Sequence, residues 1–269
     1  MSAELSIDQV ESYKRDGFLA PIRVAGTDEA AAWRRELEES ERRYGKLHYV
    51  AKAHLVLDFA HRLASHPLVL DAVSSIIGPD ILLWDSTFII KEPGDGKKVS
   101  WHQDLTYWGL EPDDIVSVWL ALSAATIESG CMLMMPGSHT GPIAAHYDTK
   151  ASDNILSRGQ SIAEPIDERK ARCVALEPGE MSLHHGRVWH SSSPNRSQDR
   201  RIAYNAQYLA PWVRQTVGDW DSALLVRGGD RYGHFEQERA ASGSFVPADV
   251  ARQQDISARR AAYLGAKTG

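Results

Sequence analysis

The stretch SWHQDLTYWGL, residues 100–110, sets His102 and Asp104 two positions apart inside an aromatic, largely apolar run. On a strand, residues i and i+2 point to one face, so an imidazole and a carboxylate at this spacing reach a common ion. An isolated His-x-Asp pair is weak evidence, because such residues often cap or hydrogen-bond locally. Further along, GEMSLHHGRVWHSSSPN, residues 179–195, offers His184, His185 and His190 on what reads as a strand, a tight turn and a second strand. Two histidines and one carboxylate make the facial set that binds non-haem Fe(II) and leaves coordination positions open. The His-Glu-x-x-His and paired Cys-x-x-Cys signatures of zinc sites are absent from the sequence. Arg201 follows His190 by eleven residues and opens the run RIAYNAQYL. If that run pairs with the His190 strand, its guanidinium lies below the metal and can fork a dicarboxylic acid's distal carboxylate. The bland alternative is a surface arginine.

These residues need elements to hold them. Ser6 is placed to cap a short helix with Val10 and Tyr13 inward, ending near Gly17. A second helix runs from Thr27 to a stop at Gly45, and a third from about His66 to Ile77. From Ile81 the texture changes to short Val-, Ile-, Trp- and Tyr-rich runs bounded by Gly, Pro, Asn and Asp, the pattern of a sandwich or barrel. Residues 140–171 form a long polar excursion of the kind that serves as a lid or binding loop, with disorder as the bland alternative. A last helix spans about Val246 to Lys267. No repeat or low-complexity tract divides the chain. The expectation is one domain over 1–269, with a mostly helical part (1–80), a β-core (81–212) and a C-terminal extension (213–269).

The 269 residues carry 30 Lys and Arg against 36 Asp and Glu, a net charge of −6, with no long basic run. That argues against nucleic acid or an anionic membrane as partner. Two cysteines, Cys131 and Cys173, sit in apolar strand-like contexts and do not make a disulfide framework. With no signal pattern at the start and no membrane-length apolar run, a cytoplasmic location is expected.

Taken jointly, WHQDLTY, WLALS (119–123), SGCMLMMPGSH (129–139) and HSSSPN followed by Arg201, preceded by GPDILLW and FIIKEPGD, resemble the phytanoyl-CoA dioxygenase family of Fe(II)- and 2-oxoglutarate-dependent oxygenases. The resemblance spans roughly residues 6–212. It implies a double-stranded β-helix, a jelly-roll or cupin-like core with helices packed outside. It also implies Fe(II), 2-oxoglutarate as cosubstrate and dioxygen, with release of succinate and carbon dioxide.

By the same resemblance the iron ligands are His102, Asp104 and His190; His185, in the place of a non-ligating histidine, is the rival for the distal position, which His190 takes by its following Ser-x-x-Pro-Asn and the eleven-residue step to Arg201. Arg201 clamps the 5-carboxylate of 2-oxoglutarate with Ser192 nearby. Trp119 and Thr87 line the cosubstrate pocket, and Lys52, in VAKAHL, falls near a cosubstrate-contacting lysine. His54, Tyr107 and Trp108 stand at substrate-pocket positions. The N-terminal half also resembles related non-haem iron halogenases, in which Gly or Ala replaces the carboxylate. This chain keeps Asp104, so hydroxylation or a related C–H oxidation is expected. No basic cluster stands ready for a CoA phosphate. A small metabolite or natural-product intermediate, free or carrier-tethered, is therefore the expected substrate. Desaturation, epoxidation or cyclisation on the same site, and a non-catalytic metal-binding barrel, are the alternatives.

Overall fold

A computed structural model describes residues 4–156 and 158–264. Helix α1 (Ile7–Asp16) begins at a reciprocal cap: Ser6 Oγ accepts from Gln9 N, and Gln9 Oε1 accepts from Ser6 N. It ends at Gly17, φ 83°, where a β-carbon would strike the His139 ring. Helix α2 (Thr27–Tyr44) stops at Gly45 as expected, and α4 (Pro67–Ile77) starts on a proline at its first position. Helix α3 (Asp58–Ala64) was not expected. At seven residues it is too short for its apolar period to register, yet Phe59 is fully buried and stacks on Phe88. Helix α5 (Pro247–Leu264) matches the C-terminal expectation; positions 265–267 of that reading lie outside the described residues.

Strands, numbered in chain order, form two main sheets. The larger comprises β1 (Phe18–Arg23), β10 (Glu180–His185), β5 (Ile115–Ala121), β12 (Arg201–Leu209), β2 (Ile81–Lys91), β14 (Ser222–Arg227) and β15 (Glu236–Gln237), in that spatial order. The smaller runs β3 (Val99–His102), β11 (His190–Ser192), β6 (Met132–Met134), β9 (Arg172–Val174). A hairpin of β7 (His146–Asp148) and β8 (Gln160–Ile162) gives the 140–171 excursion an ordered centre, and β4 (Leu110–Glu111) pairs with β13 (Arg214–Gln215). The result is the mainly β, cupin-like barrel with flanking helices.

Period-two alternation decides which residues reach the barrel interior. On β2, Phe88 and Ile90 join the core beneath the helices, whereas Thr87 and Ile89 face the cavity. On β5, Val118 and Leu120 join the helix-side core, while Trp119 and Ala121 pack inward with Met132 and Val188. The strands are thus buried on both faces and read as nearly continuous apolar runs. A fully buried Phe or Leu side chain contributes about 1.5–3 kcal/mol, so the helices covering Phe88 and Leu120 stabilise the wall that carries the site. Cys131 and Cys173 are free thiols facing each other. Among the described residues, no helix is long and apolar enough to cross a membrane.

Candidate metal centre and active site

His102 closes β3, His190 opens β11, and the two are direct cross-strand partners with ring centroids 4.1 Å apart. Asp104 Oδ1 lies 3.4 Å from His102 Nε2 and 3.8 Å from His190 Nε2. One ligand atom from each of the three residues lies within 4.8 Å of the others. The reading of His-x-Asp as one strand face is corrected. β3 ends at His102, and Asp104 starts a 3-10 turn, Asp104–Tyr107, tied down by Leu105 N donating to Gly186 O at 2.9 Å. The turn, not the pleat, brings the carboxylate beside the imidazoles.

Each ring is oriented by its other nitrogen. His102 Nδ1 is 2.9 Å from Ser100 O, and His190 Nδ1 is 3.0 Å from Val188 O. A carbonyl only accepts, so Nδ1 carries the proton and the Nε2 lone pairs face the common point. Burial, reinforced by the neighbouring His102, pushes the His190 pKa down to about 3 and keeps the ring neutral, as a ligand must be. Burial works against ionising Asp104, but the His190, His102 and His184 rings outweigh it and hold the carboxyl well below its usual range. A half-buried carboxylate beside three imidazoles is a donor set with a cation's worth of negative charge to satisfy. These residues fit an Fe(II) ion.

Adjacent histidines on β10 point to opposite faces. His184 turns inward, with Nε2 3.5 Å from Asp104 Oδ2 and its ring 5.1 Å from His190. His185 turns outward, 3.4 Å from Asp113 Oδ2. The histidine beside the metal set is therefore His184, not His185. A sequence pattern of two consecutive histidines cannot say which one faces in; the register of β10 on β5, with His184 opposite Ser117, decides it.

Arg201 reaches the cavity from the opposite sheet. The conditional expectation that its run pairs with the His190 strand is corrected: β12 pairs with β2 and β5, with Arg201 opposite Lys91. The chain crosses between sheets over residues 193–200, pinned where Asn195 Nδ2 donates to Lys91 O and Asp199 O. The Arg201 guanidinium is buried, stacks 5.2 Å from the Trp119 ring and donates from one Nη to Gly130 O. Gly130 has φ 75°, and a β-carbon there would collide with Ser193 O. Burial pushes the Arg201 pKa down to about 10, and among the described residues its Nε has no hydrogen-bond partner. The Thr87 hydroxyl in the same wall is likewise buried without a partner. Unpaired donors of this kind are costly unless a ligand takes them, and a carboxylate suits both. The pocket fits 2-oxoglutarate.

Ser192 lines the same wall, its hydroxyl accepting from Lys91 Nζ at 2.7 Å. Lys91, whose role no local sequence pattern marks, also donates to Ser192 O and Ser193 O, tying the β2 end to the β11 end.

A cavity of about 520 Å³ joins these groups. Tyr107 and Trp108 line it. Lys52 and His54 do not, and those two expectations are corrected. Both side chains are fully buried behind the wall, where Lys52 Nζ pairs with Glu238 at 2.7 Å and His54 Nε2 lies 2.9 Å from the other Glu238 oxygen. Lys52 also donates to Ser222 O, and His54 Nδ1 meets Ser86 Oγ at 2.8 Å. A lysine so enclosed by acceptors locks structure and has no donor left to offer a cosubstrate.

A β-barrel with an inward His-Asp-His set and a buried arginine across from it defines the class of non-haem iron, 2-oxoglutarate-dependent oxygenases. Comparison with known proteins narrows this. The family described as Phytanoyl-CoA dioxygenase (PhyH) matches residues 13–203. The chain belongs to that family. It is 29% identical over 217 residues to a probable alpha-ketoglutarate-dependent hypophosphite dioxygenase of Stutzerimonas stutzeri, covering 78% of this chain and 74% of that one. It is 26% identical over 233 residues to the peroxisomal phytanoyl-CoA dioxygenase of Homo sapiens, covering 77% and 69%. Among solved structures, the apo non-heme monooxygenase ThoJ superposes with a TM-score of 0.86 at 34% identity, over 96% of this chain and 98% of that one. CytC3 with Fe(II) and alpha-ketoglutarate shares the fold, with a TM-score of 0.69 at 23% identity over 91% and 97%.

Proposed function

We propose that the protein is an Fe(II)- and 2-oxoglutarate-dependent hydroxylase acting on an unactivated C–H bond of a small metabolite or natural-product intermediate, in the cytoplasm. The observation that carries this reading is the convergence of His102, Asp104 and His190 within 4.8 Å at one end of a cavity that Arg201 also lines. When bound, iron with 2-oxoglutarate and dioxygen supplies the oxidation, releasing succinate and carbon dioxide.

The chain's own residues bind and orient. His102, Asp104 and His190 hold the metal, and the Ser100 and Val188 carbonyls fix their tautomers. Arg201 takes the distal carboxylate of the cosubstrate, with Thr87 and Ser192 completing the polar contacts and Trp119 supporting the guanidinium face. Tyr107 and Trp108 pack on substrate. Fixing the reacting bond near the metal supplies much of the rate, through orientation. Asp104 supports oxygen insertion over halogenation, because a bound carboxylate occupies the coordination position a halide requires.

The test is a screen of small metabolites and natural-product intermediates, free and carrier-tethered, scored by succinate release and product mass. A product gaining one oxygen bears the reading out. A product gaining chlorine, or losing two hydrogens without gaining oxygen, assigns the same site a different outcome. Metal and 2-oxoglutarate binding with no succinate from any substrate points to a binding protein.

A further inference from the structure

The family match ends at residue 203, yet Arg260 and Ala261 of α5 line the cavity. The helix is anchored at several points. Gln253 Nε2 donates to Ala51 O at 2.7 Å, Ile256 is buried, and the Arg259 guanidinium stacks 3.3 Å over Trp220. Arg260 goes deepest, with 7% of its side chain exposed. Its Nη1 donates to Asp85 Oδ2 at 2.8 Å, its Nε lies 3.6 Å from Asp221 Oδ1, and its plane sits 4.2 Å over the Trp84 ring.

Trp84 is thereby clamped from several sides. Its indole N–H donates to Asp221 Oδ2 at 2.7 Å, Arg260 covers the ring, and Trp108 packs against it at 5.3 Å between centroids. Both carboxylates are otherwise engaged: Asp85 Oδ1 accepts from Lys52 N and Ser86 N, and Asp221 also accepts from Ser222 N and Gln215 Nε2. The charges at this end therefore satisfy one another. Trp84 itself is almost wholly buried, and the aromatic and apolar surface left to the cavity at this end is Trp108, Tyr107 and Leu156, with Arg158 and Gln160 also in the lining.

We propose that α5 is the fourth wall of the substrate end, and that Arg260 is a positioning residue that fixes Trp84 and, through it, the Trp108 indole packed against it, so that an aromatic or otherwise flat apolar part of the substrate packs on Trp108. This rests on the hydroxylase reading for what the cavity is used for, but not for the wall itself. Flat rings are favoured over saturated ones because a fixed indole offers an offset-stacking face. An Arg stacked on a desolvated Trp holds that ring in one orientation.

The experiment uses the full chain loaded with Ni(II), with indole and cyclohexanol as probes followed by ligand-observed NMR, and 2-oxoglutarate binding measured in parallel. The parent is expected to bind indole and to prefer it to cyclohexanol. Arg260→Met is expected to weaken indole roughly tenfold while 2-oxoglutarate affinity holds, and Arg260→Lys to rescue part of the loss. Ala261→Trp fills the same end without touching the ion pairs, and is expected to abolish indole binding even if Arg260→Met does not fold. Equal binding of the two probes by the parent, or parent-like indole binding in Ala261→Trp or in folded Arg260→Met, overturns the proposal. Loss of 2-oxoglutarate binding in the parent instead contradicts the hydroxylase reading and leaves the indole result to stand on its own.

Discussion

The two ends of the cavity are built differently. The metal and cosubstrate end comes from strands of both sheets plus Asp104 at the start of the 3-10 turn, with both candidate histidine ligands oriented by backbone carbonyls and an arginine stacked on Trp119. The substrate end comes from a loop at Tyr49 and Ala51, the 3-10 turn at Tyr107, the β7–β8 hairpin and α5. Strand positions are fixed by ladder registers shared with many neighbours, whereas loops and added helices change without disturbing the barrel.

The largest effect is expected at the metal end. His102→Ala removes a ligand outright, so 2-oxoglutarate-dependent succinate formation falls by more than the roughly 10- to 100-fold typical of losing an outer partner of a metal ligand. Iron content should fall with it while the fold, followed by circular dichroism, persists. Next comes Arg201→Lys, which keeps charge but loses the fork. Charge-assisted hydrogen bonds contribute about 1.5–3 kcal/mol, so the 2-oxoglutarate KM should rise by one to two orders of magnitude with a smaller change in kcat. A parent-like KM would mean that the cosubstrate carboxylate lies elsewhere.

A stability prediction separates the cavity wall from the cluster behind it. Lys52, His54 and Glu238 form a buried charged knot, and removing one partner of such a pair costs about 3–5 kcal/mol. Glu238→Gln should lower the thermal midpoint and leave metal binding intact once folded. Burial alone would raise the Glu238 pKa, but Lys52, with help from His54, holds it at about 2, against 4.5 for the free side chain. A carboxylate with a depressed folded pKa stabilises fully above its unfolded value, and that contribution is lost as pH falls from about 4.5 towards 2. The parent should therefore lose stability through that window more steeply than Glu238→Gln. The smallest effect separates adjacent histidines. His184→Phe removes a ring from beside Asp104 and should lower metal affinity, whereas His185→Phe should change it little, its ring facing Asp113 outside the barrel.

How much of this is legible in the sequence follows the same division. The candidate ligands and Arg201 are legible because short strands and tight turns bring residues together over fixed spacings, and because three motifs have to agree. The route was less readable. Asp104 arrives by a turn and Arg201 by the opposite sheet, since pairing partners are set by long-range register and not by local pattern. Lys52 and His54 looked like pocket residues, but a Lys in an apolar segment says nothing of Glu238, nearly two hundred residues away, which claims it. Arg260 carried no local signal at all. One arginine in an amphipathic helix reads as a solvated face until Asp85, Asp221 and Trp84 are seen around it.

The central claim is that His102, Asp104 and His190 hold an iron to which 2-oxoglutarate chelates. Anaerobic titration with Fe(II) and then 2-oxoglutarate, watched in the visible spectrum for the charge-transfer band of the chelate, tests it directly. The account predicts a band that saturates with both ligands, persists in His185→Ala and is absent from folded His190→Ala. No band in the parent at saturating ligand, or an undiminished band in His190→Ala, would contradict it.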